Sequence, residues 1–159
     1  MRLGITGHRG LPEETKRLVR AALKEQVQQH SPDDLVGLSC IADGPDAWFA
    51  ETVLDHGGQI EVVIPAAGYR EGLPVWHHPT YDQLMRQAHD VHSTGISDSD
   101  SQAHMAGSEV LVDLADHLLA VWDGEPARGY GGTADVVTYA KRNGVPVDIV
   151  WPKGATRDG

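Results

Sequence analysis

Five short apolar runs, at residues 3–6, 35–42, 60–65, 117–122 and 147–151, constrain this chain more than any other feature. Most are continuous rather than alternating. A strand with one face in water alternates apolar and polar residues. A continuous run fits a strand buried on both faces, and so a parallel sheet covered by helices. The segments between carry helix signals. Pro12-Glu13-Glu14 sets a proline in a first turn and acids near the positive end. Leu18, Ala22 and Leu23 follow at helical spacing, with Val19 and Val27 alongside. A second helix starts at Asp43-Gly44-Pro45-Asp46 and stops at Gly57-Gly58. Others are expected over 81–91 and 102–114. The last opens at a Thr133 cap and ends at Asn143-Gly144, with Pro146 beyond. The alternation specifies an α/β class: a three-layer Rossmann-like fold on a mainly parallel five-stranded sheet. A chain of 159 residues suits one core. A single domain is expected over 1–152, with 153–159 a flexible tail. Residues 66–104, polar and rich in Pro, Gly, Ser and His, are expected to form a long loop of the lid or mobile kind.

In such sheets ligands bind at the carboxyl ends of the strands, and three exits carry suitable residues. The fourth run leads into Asp123-Gly124 and then Arg128-Gly129-Tyr130-Gly131-Gly132-Thr133. Glycines let backbone N–H groups approach an anion, and a helix start adds unpaired donors and partial positive charge. Gly131, Gly132 and Thr133 are expected to face the anion, Arg128 to reach a phosphate, and Asp123 to hold a ribose or a water. The first exit, Thr6-Gly7-His8-Arg9-Gly10, offers a tight turn, polar contacts from Thr6 and His8, and the planar fork of Arg9. Gly7 and Gly10 do not make a GxGxxG spacing; an exposed turn is the plainer account. At the second exit, Asp43 and Asp46 are either helix caps or acceptors from ribose hydroxyls.

Acidic residues number 23 against 13 basic, for a net charge of −10. Affinity for nucleic acid comes largely from lysine and arginine, so a nucleic-acid partner is disfavoured. Lone Cys40 lies in an apolar run and is expected to be a core thiol, in keeping with a reducing cytoplasm. The glycine-broken opening residues are short for a secretory signal, and no apolar stretch reaches a membrane span's length. Five of the nine histidines, His77, His78, His89, His92 and His104, crowd one region without HExxH or CxxC. Neither metal nor cofactor is expected from them. Trp76, in the long polar region, is a candidate cover for a bound base.

Gly4-Ile5-Thr6-Gly7-His8-Arg9, Ser39-Cys40-Ile41-Ala42-Asp43-Gly44-Pro45-Asp46, and Val121-Trp122-Asp123-Gly124 leading to Gly131-Gly132-Thr133 resemble the SLOG superfamily. That group holds the Lonely-guy phosphoribohydrolases, lysine decarboxylase-like proteins and the DNA-processing protein A domain. The likeness spans roughly residues 1–151. It implies a Rossmann-like fold that binds nucleotides or their derivatives, often as a dimer. The hydrolase branch carries Pro-Gly-Gly-x-Gly-Thr-x-x-Glu. Here the proline is missing and Val136 stands where the glutamate belongs, which removes a catalytic group. Asp135 is one residue early, about 100° away around a helix. A nucleotide-binding protein is therefore the leading expectation. An N-glycosidic hydrolase of nucleoside monophosphates, drawing on Asp43, Asp46, Asp123 or Asp135, is the alternative, and a DNA-handling adaptor the third.

Overall fold

Six strands, not five, form the sheet of the computed structural model, which describes residues 1–158. The strands are β1 (Arg2–Gly7), β2 (Val36–Ser39), β3 (Gln59–Ile64), β4 (Asp90–Ser93), β5 (His117–Val121) and β6 (Val147–Ile149). All pairings are parallel, in the order β4-β3-β2-β1-β5-β6. The unforeseen strand is β4. Its sequence Asp-Val-His-Ser has no apolar run, because it is an edge strand paired on one side and largely exposed. The glycine loop therefore follows the fifth strand rather than the fourth.

The helices are α1 (Glu13–Gln28), α2 (Pro45–Asp55), the single turn α3 (Tyr69–Gly72), α4 (His78–Gln87), α5 (Ser101–Leu114) and α6 (Thr133–Arg142). The buried stripe of α1 is Thr15, Val19, Leu23 and Val27, spaced by four. Each apolar side chain in it contributes roughly 1.5–3 kcal/mol on burial. Leu18 and Ala22 flank that stripe rather than lead it. Asp100 caps α5 by accepting the Ala103 N–H at 2.8 Å. Thr133 does not cap α6: it is the first helical residue, and Gly132 is the cap.

Residues 66–104 are not one long loop. α3, a 3-10 turn at Val75–His77, α4 and β4 fill most of the segment. Its polar surface hides a sparse inner set, Tyr69, Leu73, Tyr81 and Leu84, which docks it on the core. The expected helix at 81–91 ends at Gln87, and β4 takes the residues beyond Ala88 and His89. Residues 153–158 return across α1, where Thr156 exchanges two hydrogen bonds with Thr15 Oγ1, at 2.7 and 2.9 Å. No helix among the described residues is long and apolar enough to cross a membrane.

Candidate functional site

Strand order reverses between β1 and β5, where the chain leaves one half of the sheet and begins the other. Loops leaving adjacent strands diverge at such a switch point and open a crevice. A cleft of about 360 Å³ lies there. Nine residues singled out from sequence line it: Thr6, Gly7, His8 and Arg9 from the β1 exit, Asp46 from α2, and Arg128, Gly131, Gly132 and Thr133 from the glycine loop. Asp43 and Asp123 do not line it. Each instead holds a residue that does.

Gly7 sets the crowding at the mouth of β1. A Cβ there would lie 2.8 Å from Val121 Cβ and 2.9 Å from Pro45 Cβ, so only glycine lets β5 and the start of α2 approach together. Asp43 Oδ1 accepts from Arg9 Nε at 3.0 Å and from Arg9 Nη2 at 2.7 Å. Asp123 builds the turn after β5, its Oδ1 accepting the Glu125 N–H at 3.0 Å. Its own N–H donates to His8 Nε2 at 3.1 Å, and Oδ1 lies equally far from that nitrogen. Burial, aided by the nearby Arg157 charge, lowers the His8 pKa. The neutral ring therefore accepts from the Asp123 backbone; protonation would turn Nε2 toward the carboxylate.

The exit of β2 is held in a costly shape. Ile41, a β-branched residue, has φ +48°, in the left-handed region. Three hydrogen bonds fix it. His77 Nε2 donates to the Ile41 carbonyl at 2.9 Å, the Ile41 N–H donates to Ser39 Oγ at 2.9 Å, and Ser39 Oγ donates to the Asp46 carbonyl at 2.9 Å. Backbone strain of this kind persists where surrounding contacts over-determine it, and such places cluster at functional sites. Here it aims Ala42 and Asp46 at the cleft. Burial pushes the Asp46 carboxyl up to about 7, against the pull of the Ala42 N–H and Arg9. Burial also raises the Cys40 thiol, so it is no thiolate nucleophile.

The glycine loop differs from the simple cradle. Gly131 takes φ +85°, and its N–H donates to Asp135 Oδ2 at 2.9 Å. The Gly132 N–H donates to the Gly129 carbonyl at 3.3 Å. Of the three expected amide donors, Thr133 alone sits in the first helical turn, where helix geometry supplies no intrahelical acceptor. Arg128 forms a two-pronged pair with Asp158, at 3.0 and 2.7 Å.

Sequence reasoning did not find Tyr69, His104, Ser108, Tyr130 or Arg157, which also line the cleft. Tyr69 and His104 come from the polar stretch read as a loop, and Arg157 from the stretch read as a tail. Tyr130, between two glycines at the mouth, is 63% exposed. Trp76 is not the cleft's aromatic. It lines an adjoining groove with Trp48 and Lys16, where Asp43 also contributes. Four of the five clustered histidines go to separate partners. His77 meets Ile41, His78 the Leu73 carbonyl, His92 Glu61, and His104 Ser99. Near β4, Glu61, Asp90 and His92 do converge. Arg2 engages both Glu61 oxygens there, at 3.0 and 2.9 Å, and its hydrogen bonds hold the Glu61 carboxyl down at about 2.

No family model matches the sequence, and no curated protein matches it. Solved structures match its fold. DNA processing protein A from Helicobacter pylori superposes with a TM-score of 0.70 at 16% identity, over 94% of this chain and 64% of that one. DNA processing protein A from Streptococcus pneumoniae gives 0.67 at 17%, over 93% and 49%. This chain thus spans less than two thirds of either protein. The molybdenum cofactor binding protein from Rippkaea orientalis gives 0.59 at 14%, over 93% and 74%. The Rossmann-like fold expected from the SLOG likeness is the fold of this chain. One expectation falls with these comparisons. Overall acidity disfavoured a nucleic-acid partner, yet the Helicobacter pylori protein of the same fold binds single-stranded DNA. Net charge is a property of the whole surface. The residues lining this cleft include three arginines, Arg9, Arg128 and Arg157, against one aspartate, Asp46, with Arg9 and Arg128 paired to Asp43 and Asp158 just outside it.

Proposed function

We propose that the cleft binds a small phosphate-bearing ligand of the nucleotide class and does not cleave it. The observation that carries this reading is the gathering of Arg9, Arg128 and Arg157 at the switch point of a chain whose net charge is −10. Their only acidic companion in the lining, Asp46, is raised to about 7 and so is largely neutral in mildly acidic solution. Guanidinium forks beside a helix start favour phosphate. The carboxylates already paired with Arg9 and Arg128 mark both forks as anion-binding, and a phosphate competes for the same donors. The exposed ring of Tyr130 gives a base a surface to stack on. Against hydrolysis stands Val136, an apolar residue lining the cleft where the resembling hydrolases carry their glutamate. Asp43 and Asp123 are committed to Arg9 and to the β5 turn.

Calorimetric titration with adenine and guanine mono-, di- and triphosphates, ADP-ribose and cyclic dinucleotides is expected to give saturable binding to at least one of them. The double variant Arg9→Ala, Arg128→Ala is expected to weaken it at least about tenfold. Chromatography of a nucleoside monophosphate incubated with the protein is expected to show no released base. A folded protein that binds none of these ligands sinks the reading, and released base replaces it with the hydrolase.

The likeness to the single-strand-binding Helicobacter pylori protein supports a second reading, in which the phosphate belongs to single-stranded DNA. A fluorescent thymidine oligomer titrated in parallel separates a polymer from a mononucleotide.

A further inference from the structure

Among the described residues, one buried side-chain nitrogen or oxygen lacks a hydrogen-bond partner: Nη1 of Arg157, in the lining of the cleft. Guanidinium is always charged and carries five donors, and folds rarely leave a buried donor unanswered because the lost hydration is not repaid. The other cationic donors at this edge have answers within the chain. Asp43 meets Arg9 and Asp158 meets Arg128. Nor is Arg157 on a loose end. Thr156 before it is bound twice to Thr15 Oγ1, and Asp158 after it is gripped by Arg128. The neighbours on both sides thus hold the residue, Thr156 through its backbone and Asp158 through its carboxylate, while Nη1 stays unpaired.

We propose that Arg157 is the principal phosphate-binding residue of the cleft. The proposal rests on the nucleotide reading above and adds to it the group that makes the innermost contact. The phosphate supplies the acceptor that Nη1 lacks.

The test uses the full chain, with AMP and inorganic phosphate as probes. Arg157→Met keeps the apolar stem and removes the fork. It is expected to weaken AMP binding at least about tenfold. Arg157→Lys, which keeps charge without the planar fork, is expected to recover part of the loss. Arg142→Met, the same charge change at the far end of α6, is expected to leave affinity within about twofold, as a remote surface change should. A second readout separates ligand binding from structural support. Removing an arginine that braces the fold lowers the melting temperature of the free protein. Removing one whose buried nitrogen is unpaired leaves it unchanged or raises it. If the wild type binds AMP and Arg157→Met binds it within twofold, Arg157 is overturned and the nucleotide reading stands. A lowered melting temperature with unchanged affinity also overturns it, in favour of a bracing role. A wild type that binds neither these probes nor any nucleotide of the panel above overturns both; where another nucleotide of the panel binds, the same variants are read with it.

Discussion

Asp46 carries a proton at a place where proton loss has two consequences. In the unfolded chain its carboxyl ionises near 3.8; in the fold, burial delays this to about 7. Below pH 3.8 both states hold the proton and folding incurs no penalty. As pH rises from 4 to 7 the unfolded state loses its proton first, so stability falls, and the penalty is complete above the folded value. The full shift corresponds to about 4 kcal/mol, and partial exposure to the cleft reduces this to roughly 1–3 kcal/mol. Asp46→Asn cannot ionise. Its melting temperature is therefore expected to exceed that of the wild type at pH 8 and to match it at pH 3.5, which thermal denaturation at the two pH values measures. Equal melting at both would mean that Asp46 is solvated like a surface carboxylate. The same proton bears on the ligand: neutral Asp46 presents an O–H donor to a phosphate, and ionised Asp46 repels it.

The glycine loop and α6 show how much an element's sequence discloses. Gly131 has φ +85°, and a Cβ there would lie 2.9 Å from the Ser101 carbonyl oxygen of α5. Gly10 is also left-handed, at φ +68°, but nothing lies within 4 Å of where its Cβ would be. Gly10→Ala is therefore expected to cost only the backbone term, about 1–2 kcal/mol. Gly131→Ala adds a clash between α5 and the loop and is expected to cost roughly 2–4 kcal/mol, with a matching loss of ligand affinity. Urea denaturation of the two variants tests the difference; equal costs would mean that α5 yields freely. Sequence exposes such an element because glycine spacing and the helix start are local. The partner at Ser101, thirty residues away in sequence, is not local. The same distinction explains the sheet. Interior strands β1, β2, β3 and β5 read as apolar runs because both faces are buried. β4 at the edge has four residues, little burial and no pattern to read. Tyr69 went unseen for the related reason that a few inward residues in a polar stretch give no periodic signal, and His104, though noted among the clustered histidines, carries no local sign that it lines the cleft.

At the scale of the whole molecule, charge distribution rather than charge total decides what this surface accepts. Ten net negative charges in the chain coexist with three arginines lining one crevice, and solution salt screens the first more than the second. Single-stranded nucleic acid releases about 0.7 counterions per phosphate neutralised. A strand that enters through this crevice engages at most the three arginines, while acidic surface elsewhere gains nothing from its other phosphates. The log–log slope of thymidine-oligomer affinity against salt, measured by fluorescence anisotropy between 50 and 200 mM, is therefore expected to be shallow, about −2. It should fall toward −1 in the Arg9→Ala, Arg128→Ala variant, because one cationic contact then remains at the crevice. AMP should displace the oligomer, since both need the same donors. A slope of about −5 or steeper, unmoved by AMP, would place the strand on a different and more extended surface of the molecule, and the crevice would then serve a small ligand alone.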